Sequence, residues 1–242
     1  MIHIKRTGAI ALMAMVMAIG CKKDYYTDTG THSGDFDGTV MEYLQSKPAY
    51  FDSLNKVIHL AGMEDVFKNQ EITFFAPADS SISRTIDLLN FQLQNLGRPP
   101  VTRLEQIKPE VWRNQLSRYI FKGKKAMNDY RQIDPENLSA YPGQIYASYD
   151  GLLMNIGVIY NNAGGDNGEG GVQYAGYRQL MLSYIPSASA PRDFASWWSV
   201  RVASVNVAPT NGYVHVLGYS FHFFGFDPTQ FVEEAMAKGI DP

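Results

Sequence analysis

Apolar residues recur at helical spacing in the first half of the chain and in near-continuous runs in the second half. One face of a predicted helix carries Phe51, Leu54, Val57, Ile58 and Ala61. A strand is predicted at 71–75, and further strands rich in β-branched and aromatic residues are predicted at 145–149, 152–160, 172–185, 198–207 and 213–224. Helices followed by strands predict an α+β fold, with N-terminal helices packed against a mainly antiparallel sheet or sandwich.

Polar residues and prolines mark where the predicted elements begin and turn. Thr39 and Glu42 have the spacing of a capping box before a helix that runs to about Gln45. Asp79 is placed to cap a helix that follows the strand at 71–75. Asn211-Gly212 predicts a tight turn with positive φ angles. Pro109 opens another helix, one face of which is predicted to carry Trp112, Leu116, Tyr119 and Ile120.

The N-terminus has the pattern of an export signal. Lys5 and Arg6 precede an uncharged apolar run at 7–20, which is too short for a comfortable transmembrane helix. The run ends at Ala18-Ile19-Gly20-Cys21, which resembles the bacterial lipobox, where a small residue precedes a lipidated cysteine. We therefore expect residues 1–20 to be a lipoprotein signal peptide and Cys21 to carry a lipid anchor. Residues 21–38, poor in apolar side chains, would then be a flexible tether.

Composition narrows the function further. The 242 residues are 45% hydrophobic and 19% charged, which is typical of a globular chain. The net charge of −3, without a basic run, argues against a nucleic-acid partner. A single cysteine and five histidines without ligand spacing give no reason to expect a metal or another cofactor. A signal peptide and a lipid anchor would place the protein at the bacterial outer membrane or cell surface.

Two segments near the ends of the domain resemble the signatures of fasciclin-like domains. The first is Ile72-Thr73-Phe74-Phe75-Ala76-Pro77-Ala78-Asp79, and the second is Asn211-Gly212-Tyr213-Val214-His215-Val216. The resemblance implies a single fasciclin-like domain at 39–226, with an enlarged β-rich insertion around 161–192. Residues 227–242 would form a C-terminal tail with room for a short helix. The signature residues expected to be structural are Thr73, Phe75, Ala76, Pro77, Asp79, Asn211, Gly212 and His215.

No enzyme signature is found in the sequence, and no catalytic residue is predicted. Ser220 lacks the Gly-x-Ser-x-Gly elbow of hydrolases, and no phosphate-binding or dinucleotide-binding glycine motif is present. His215 could act as a general base, but a hydrogen-bonded structural histidine is favoured because no nucleophile or carboxylate is spaced beside it. The glycine-rich stretch 164–171 is interpreted as a mobile hairpin loop, with a calcium-binding turn as the alternative.

Aromatic residues are the candidate ligand contacts. Tyr174, Tyr177, Trp197 and Trp198 flank a loop rich in Ser, Ala and Pro, where flat amphipathic rings can stack on sugars or partner chains. Alternatively, half of these rings line the sheet core. If both tryptophans lie in a strand, one faces inward and the other outward.

Three functions remain open at this point. The leading hypothesis is a membrane-anchored, non-enzymatic surface lipoprotein that mediates adhesion or extracellular recognition of a protein or glycan ligand, as the fasciclin resemblance implies. The alternative is a glycan-capture accessory protein of an outer-membrane nutrient-uptake system, motivated by surface anchoring and the aromatic cluster. The third is a cryptic hydrolase that uses Ser220, which the missing motifs disfavour. The oligomeric state is left open by the sequence.

Overall fold

The computed structural model describes residues 34–164, 172–219 and 221–241. In these segments the chain forms six α-helices, several of which begin at a proline or a capping residue. They are α1 (Val40–Gln45), α2 (Pro48–Leu60), α3 (Glu64–Asn69), α4 (Asp79–Asn95), α5 (Pro109–Leu116) and α6 (Pro228–Lys238). Short 3₁₀ helices lie at Leu104–Gln106, Ser117–Tyr119, Met127–Asp129 and Phe194–Ser196.

The strands form one curled sheet. They are β1 (Asp35–Phe36), β2 (Ile72–Ala76), β3 (Ile120–Lys122), β4 (Gln132–Ile133), β5 (Gln144–Ala147), β6 (Leu153–Tyr160), β7 (Arg178–Tyr184), β8 (Trp198–Pro209) and β9 (Gly212–Leu217). The order is β3-β2-β9-β8-β7-β6-β4, with β1 beside β8 and β5 beside β6. Strands β5 to β9 pair antiparallel in sequence order, whereas β2 runs parallel to β9. Mixed helices and a mainly antiparallel sheet make the fold α+β, as predicted.

A large apolar core joins the helices to the sheet. Its largest fully buried side chains include Trp112, Tyr119, Phe67, Phe74 and Phe231. All five residues of β2, which lies between β3 and β9, are buried. A second, small cluster of Ile133, Ile159 and Met181 lies at the β4–β6–β7 end of the sheet. Strands β6 and β7 contribute to both clusters, since Val158 and Leu182 belong to the main core and Ile159 and Met181, which follow or precede them along the strand, belong to the small one.

Local sequence signals predicted the first helix correctly. The Thr39 hydroxyl accepts a hydrogen bond from the Glu42 N–H, and the Glu42 carboxylate accepts one from the Thr39 N–H. Both bonds satisfy amide groups that a helix start leaves without intrahelical partners. The predicted capping box and the helix to Gln45 are therefore confirmed.

Asp79 does not cap its own helix, so that prediction was wrong. Ala78 occupies the N-cap position of α4 and makes no side-chain bond. The Asp79 carboxylate instead accepts from the backbone N–H groups of Ser53 (3.0 Å) and Leu54 (2.9 Å). Phe51 has non-helical angles (φ −134°, ψ 20°), so α2 restarts there and exposes new amide donors. Asp79 caps this second segment of α2.

The expected positive φ angles at Asn211-Gly212 are also wrong, since neither residue adopts them. Asn211 accepts from the Val40 N–H through Oδ1 (2.7 Å) and donates through Nδ2 to the carbonyls of Phe67 and Gln70 (both 3.0 Å). A Cβ on Gly212 would lie 2.2 Å from the Ile72 carbonyl oxygen. The asparagine thus ties the β8–β9 turn to two helix ends, and the glycine permits the close approach of β2.

The helix that begins at Pro109 ends earlier than its apolar face suggested. Trp112 and Leu116 lie buried on α5 as predicted. Tyr119 instead belongs to a 3₁₀ turn and Ile120 begins β3, so the prediction of a helix through both was wrong. The Tyr119 ring is fully buried and stacks on Phe226 at 5.1 Å.

The C-terminal segment contains α6. Asp227 caps this helix by accepting from the N–H groups of Thr229 and Gln230. Phe231 and Ala235 are fully buried in the main core. Residues beyond 226 therefore contribute to the same core as the strands.

Several expectations fall outside the described residues. These are the signal peptide at 1–20, the lipid anchor on Cys21, the tether up to residue 33, most of the glycine-rich stretch 164–171, and Ser220. Within the part of the chain that is described, no helix is long and apolar enough to cross a membrane.

Candidate functional site

Thr73 and His215 form hydrogen bonds inside the core. Both are fully buried, on neighbouring parallel strands β2 and β9. His215 Nε2 donates to the Lys125 carbonyl (3.0 Å), and Nδ1 accepts from the Asn206 N–H (3.2 Å). Burial lowers the pKa of His215 to about 4, so the ring is neutral at physiological pH. With both nitrogens engaged and no contact with solvent, this histidine is not placed to act as a base.

Three further residues of the first signature are packing positions. Phe75, Ala76 and Pro77 are buried at the end of β2. The Phe75 ring lies 5.0 Å from the His215 ring and 5.6 Å from the Phe121 ring. These positions build the centre of the domain and present no group to solvent.

The four candidate aromatics have different environments. Tyr177 is 65% exposed, and Trp198 is 40% exposed at the start of β8. Tyr174 is held in place, because its hydroxyl donates to the Asp134 carboxylate (2.7 Å) and its ring meets Tyr141 edge-on. That hydrogen bond raises the pKa of Tyr174 to about 12. Trp197 precedes β8 rather than lying in it, so strand alternation does not apply to the pair of tryptophans.

Trp197 lies in a groove of about 290 Å³ between the β5–β6 hairpin and the loop before β8. We call this the Trp197 groove. Its apolar walls are formed by Pro142, Ile145, Pro191, Phe194 and Trp197. Trp197 packs on the small Ile133 cluster and meets Phe194 edge-on at 4.9 Å. Of the four candidate aromatics, Trp197 alone is among the described residues that line the groove.

Two buried polar atoms of the groove lack a hydrogen-bond partner. Asn155 is 1% exposed; its Nδ2 donates to the Pro142 carbonyl (2.9 Å), whereas its Oδ1 has no partner within the described residues. Trp197 Nε1 is likewise buried and without a partner there. Gly143 leaves space beside Asn155, since a Cβ there would lie 2.6 Å from Oδ1. Such groups are rare in folded proteins, and a bound polar ligand or water would satisfy them.

The charge of the groove is positive. Arg131 and Arg192 line it, and no described acidic residue does. Neither guanidinium forms an ion pair with the described residues. Arginine presents planar donors that match carboxylates and hydroxyl pairs. The groove thus combines a flat apolar wall with free hydrogen-bond donors.

Sequence reasoning identified Trp197 but missed the rest of this groove. Asn155 could have been noticed, because it is the polar residue within the apolar run 152–160 that becomes the buried strand β6. Phe194 and Arg192 adjoin the Ser/Ala/Pro-rich loop without any motif. Arg131 carries no local signal, since its place depends on how β4 pairs with β6.

No metal centre is built by the described residues, where no group of three or more His, Cys, Asp or Glu side chains is placed to hold an ion. The second buried histidine, His222, forms a hydrogen bond with the Tyr119 hydroxyl (2.9 Å). Burial lowers the pKa of His222 to about 3. It lies away from the groove residues, in the main core beside Phe226 at 4.9 Å.

Comparison with known proteins gives a limited result. No protein-family model matches the chain, and no curated protein is similar to it. One similar solved structure is a FAS1 domain pair from the insect cell adhesion molecule fasciclin I, with a TM-score of 0.44 and 16% sequence identity. The match covers 74% of this chain and 49% of the domain pair, so the chain spans about half the length of that protein.

Proposed function

We propose that this chain is a non-enzymatic, membrane-anchored surface lipoprotein that recognises an extracellular protein or glycan through a fasciclin-like domain at 39–226. The observation that carries the proposal is the Trp197 groove, where an aromatic wall, two free arginines and the unpartnered Asn155 Oδ1 meet. Pockets for small ligands characteristically combine apolar walls with a few convergent polar groups.

The absence of a nucleophile–base pair at the groove supports recognition rather than turnover. The described lining residues include no Ser, Cys, His, Asp or Glu that could form such a pair. His215 and His222 are both engaged in the core. The enlarged β-rich segment around 161–192 contributes Pro191 and Arg192 to the groove, which supports a role for this segment in binding.

Anchoring rests on Cys21. The cysteine follows the apolar run at 7–20 and precedes a polar stretch, an arrangement that resembles the bacterial lipobox. Several acyl chains on one residue hold a protein on a bilayer because each buried methylene contributes about 0.8 kcal/mol. The outer membrane of a bacterium is the proposed location.

Glycan capture for an outer-membrane uptake system is the second candidate function. The observation that favours it is the accessible aromatic wall of Trp197 and Phe194 beside free guanidinium donors. Sugar rings present an apolar face for stacking and hydroxyls for hydrogen bonding, which these groups match.

A binding screen tests recognition. Full-length protein is applied to a glycan array and to cell-matrix proteins, in parallel with Trp197→Ala and Tyr177→Ala. We expect Trp197→Ala to weaken retention about tenfold or more, since a central aromatic contact contributes over 1 kcal/mol. Tyr177→Ala, an exposed ring outside the groove, is the control and should bind normally. No ligand above background, or equal losses in both variants, contradicts the proposal.

Membrane fractionation tests anchoring. The wild type should partition with membranes, and Cys21→Ser should appear in the soluble fraction. Mass spectrometry should find acyl groups on Cys21 and no residues before it. A free thiol on a chain that still begins with Met1 would overturn the lipoprotein assignment.

A further inference from the structure

A second cavity lies on the other side of the β5–β6 hairpin. It has a volume of about 330 Å³, and its lining includes three tyrosines and two lysines: Tyr130, Tyr146, Tyr149, Lys122 and Lys125. We call it the Tyr–Lys cleft. Successive residues of a strand point to opposite faces, so Tyr146 and Ile156 face this cleft while Ile145 and Asn155 face the Trp197 groove.

Buried signature residues hold the turn that supplies one lysine. The Thr73 hydroxyl donates to the Gly123 carbonyl (2.8 Å) and accepts from the Lys125 N–H (2.9 Å). His215 Nε2 donates to the Lys125 carbonyl (3.0 Å). Fully buried side chains therefore bind both the N–H and the carbonyl of Lys125. The Lys125 side chain thus extends from a backbone that is fixed in position.

Each lysine lies near an aromatic ring. Lys122 Nζ is 5.7 Å from the centre of the Tyr149 ring, and Lys125 Nζ is 5.8 Å from that of Tyr146. Neither ammonium has an ion pair or a hydrogen bond with the described residues, and no described acidic residue lines the cleft. Lys124, between them, is different: it pairs with Glu71 and donates to the Thr210 carbonyl.

We infer that the Tyr–Lys cleft binds a sugar ring that carries a carboxylate. The two free ammonium groups supply charged donors for the carboxylate. Tyr146 and Tyr149, both partly exposed, offer flat amphipathic surfaces against which the apolar face of the ring packs, whereas Tyr130 is buried. The volume is at the lower end of the range of about 300 to 1,000 Å³ typical of small-ligand sites, which suits one or two rings. This site is separate from the Trp197 groove and does not depend on it.

The direct test compares two ligands that differ only in the acidic group. Full-length protein in detergent is titrated with methyl β-glucuronide and with methyl β-glucoside, and binding is followed by saturation-transfer NMR. We expect the glucuronide to bind at least about tenfold more tightly than the glucoside, since hydrogen bonds to charged groups exceed neutral ones by more than 1 kcal/mol. Sodium sulfate is the third probe, and because it has no protons to observe, its affinity is measured by how well it displaces the glucuronide. Equal binding of both sugars, no binding of either, or sulfate binding as tight as the glucuronide overturns the inference.

Variants locate the site. Lys122→Gln and Lys125→Gln should each weaken glucuronide binding about tenfold. Lys124→Gln is the matched control within the same turn and should leave it unchanged, as should Trp197→Ala in the separate groove. A similar loss in Lys124→Gln would mean that only general charge matters and would contradict the site. Loss of array binding in Trp197→Ala with glucuronide binding intact would separate the two proposals.

Added salt gives an independent check. Raising sodium chloride should weaken glucuronide binding and leave any glucoside binding unchanged, because salt screens exposed charges. A salt-independent glucuronide affinity would contradict the role given to Lys122 and Lys125.

Discussion

Buried polar side chains are hydrogen-bonded around the signature strands β2 and β9, whereas around the β5–β6 hairpin some of them lack a partner. Around β2 and β9, Thr73, Asn211 and His215 each make two or three hydrogen bonds inside the protein. At the hairpin, Asn155 and Trp197 retain buried atoms without a partner. The signature residues therefore stabilise the fold, whereas Asn155 and Trp197 carry polar atoms that no described residue satisfies.

Acidification should have the largest effect on stability, because it adds protons to two buried histidines, His215 and His222. Burial lowers the pKa values of His215 and His222 in the folded chain to about 4 and about 3, so the unfolded chain takes up protons first. Their contribution is therefore present above the unfolded pKa near 6.5 and falls as pH decreases below it. From pH 7 to pH 5 we expect a loss of about 4 kcal/mol, about 2 for each histidine. Urea unfolding at both pH values measures it, and equal stability would contradict it.

Removing the side chain of Asn211 should have the next largest effect. Asn211→Ala deletes three hydrogen bonds, each worth about 1 kcal/mol, so the free energy of unfolding should fall by about 3 kcal/mol. Asn161→Ala is the control from the β-rich half, where the amide donates one exposed bond to the Tyr177 carbonyl. The comparison fails if the two variants lose similar stability in urea.

Asp79→Ala should cost about 2 kcal/mol, because the carboxylate caps the restarted segment of α2. Lys56→Gln removes an exposed ion pair with Asp52 on the same helix and should leave stability almost unchanged, because solvent screens the pair. Thermal unfolding of both variants checks this. If Asp79→Ala loses as little stability as Lys56→Gln, the cap does not stabilise α2.

Asn155→Leu should have the smallest effect on stability. The exchange removes an unpartnered oxygen along with one hydrogen bond to the Pro142 carbonyl, so the free energy of unfolding should change by less than about 1 kcal/mol. Binding at the Trp197 groove should nevertheless decrease. If stability falls by as much as in Asn211→Ala, Asn155 is structural and the contrast between the two regions is lost.

Local patterns predicted much of the architecture. The capping box at Thr39 and the apolar face of α2 follow from spacing, and the strands of the second half follow from their β-branched and aromatic residues. Two of these strands are shorter than predicted, since 172–185 is reduced to Arg178–Tyr184 and 213–224 to Gly212–Leu217. The roles of Asp79 and Asn211 were predicted wrongly, because their hydrogen-bond partners lie 25 to 171 positions away along the chain. The groove was harder still, since Arg131 and Asn155 come together only through strand pairing. The residues around Arg131 do not show that β4 pairs with β6, a strand more than 20 positions further along the chain.

The hairpin register has a consequence for both cavities. Ile145 pairs with Asn155 and Tyr146 with Met154, so four backbone pairs determine which side chains face each side. A slip of β5 by a single residue would turn the tyrosine toward the arginines and the isoleucine toward the lysines. Each cavity would then be lined by the β5 side chain that now lines the other cavity. The two cavities therefore lie on opposite faces of the same hairpin. Inserting one residue into β5 would change the side chains that line both cavities at once.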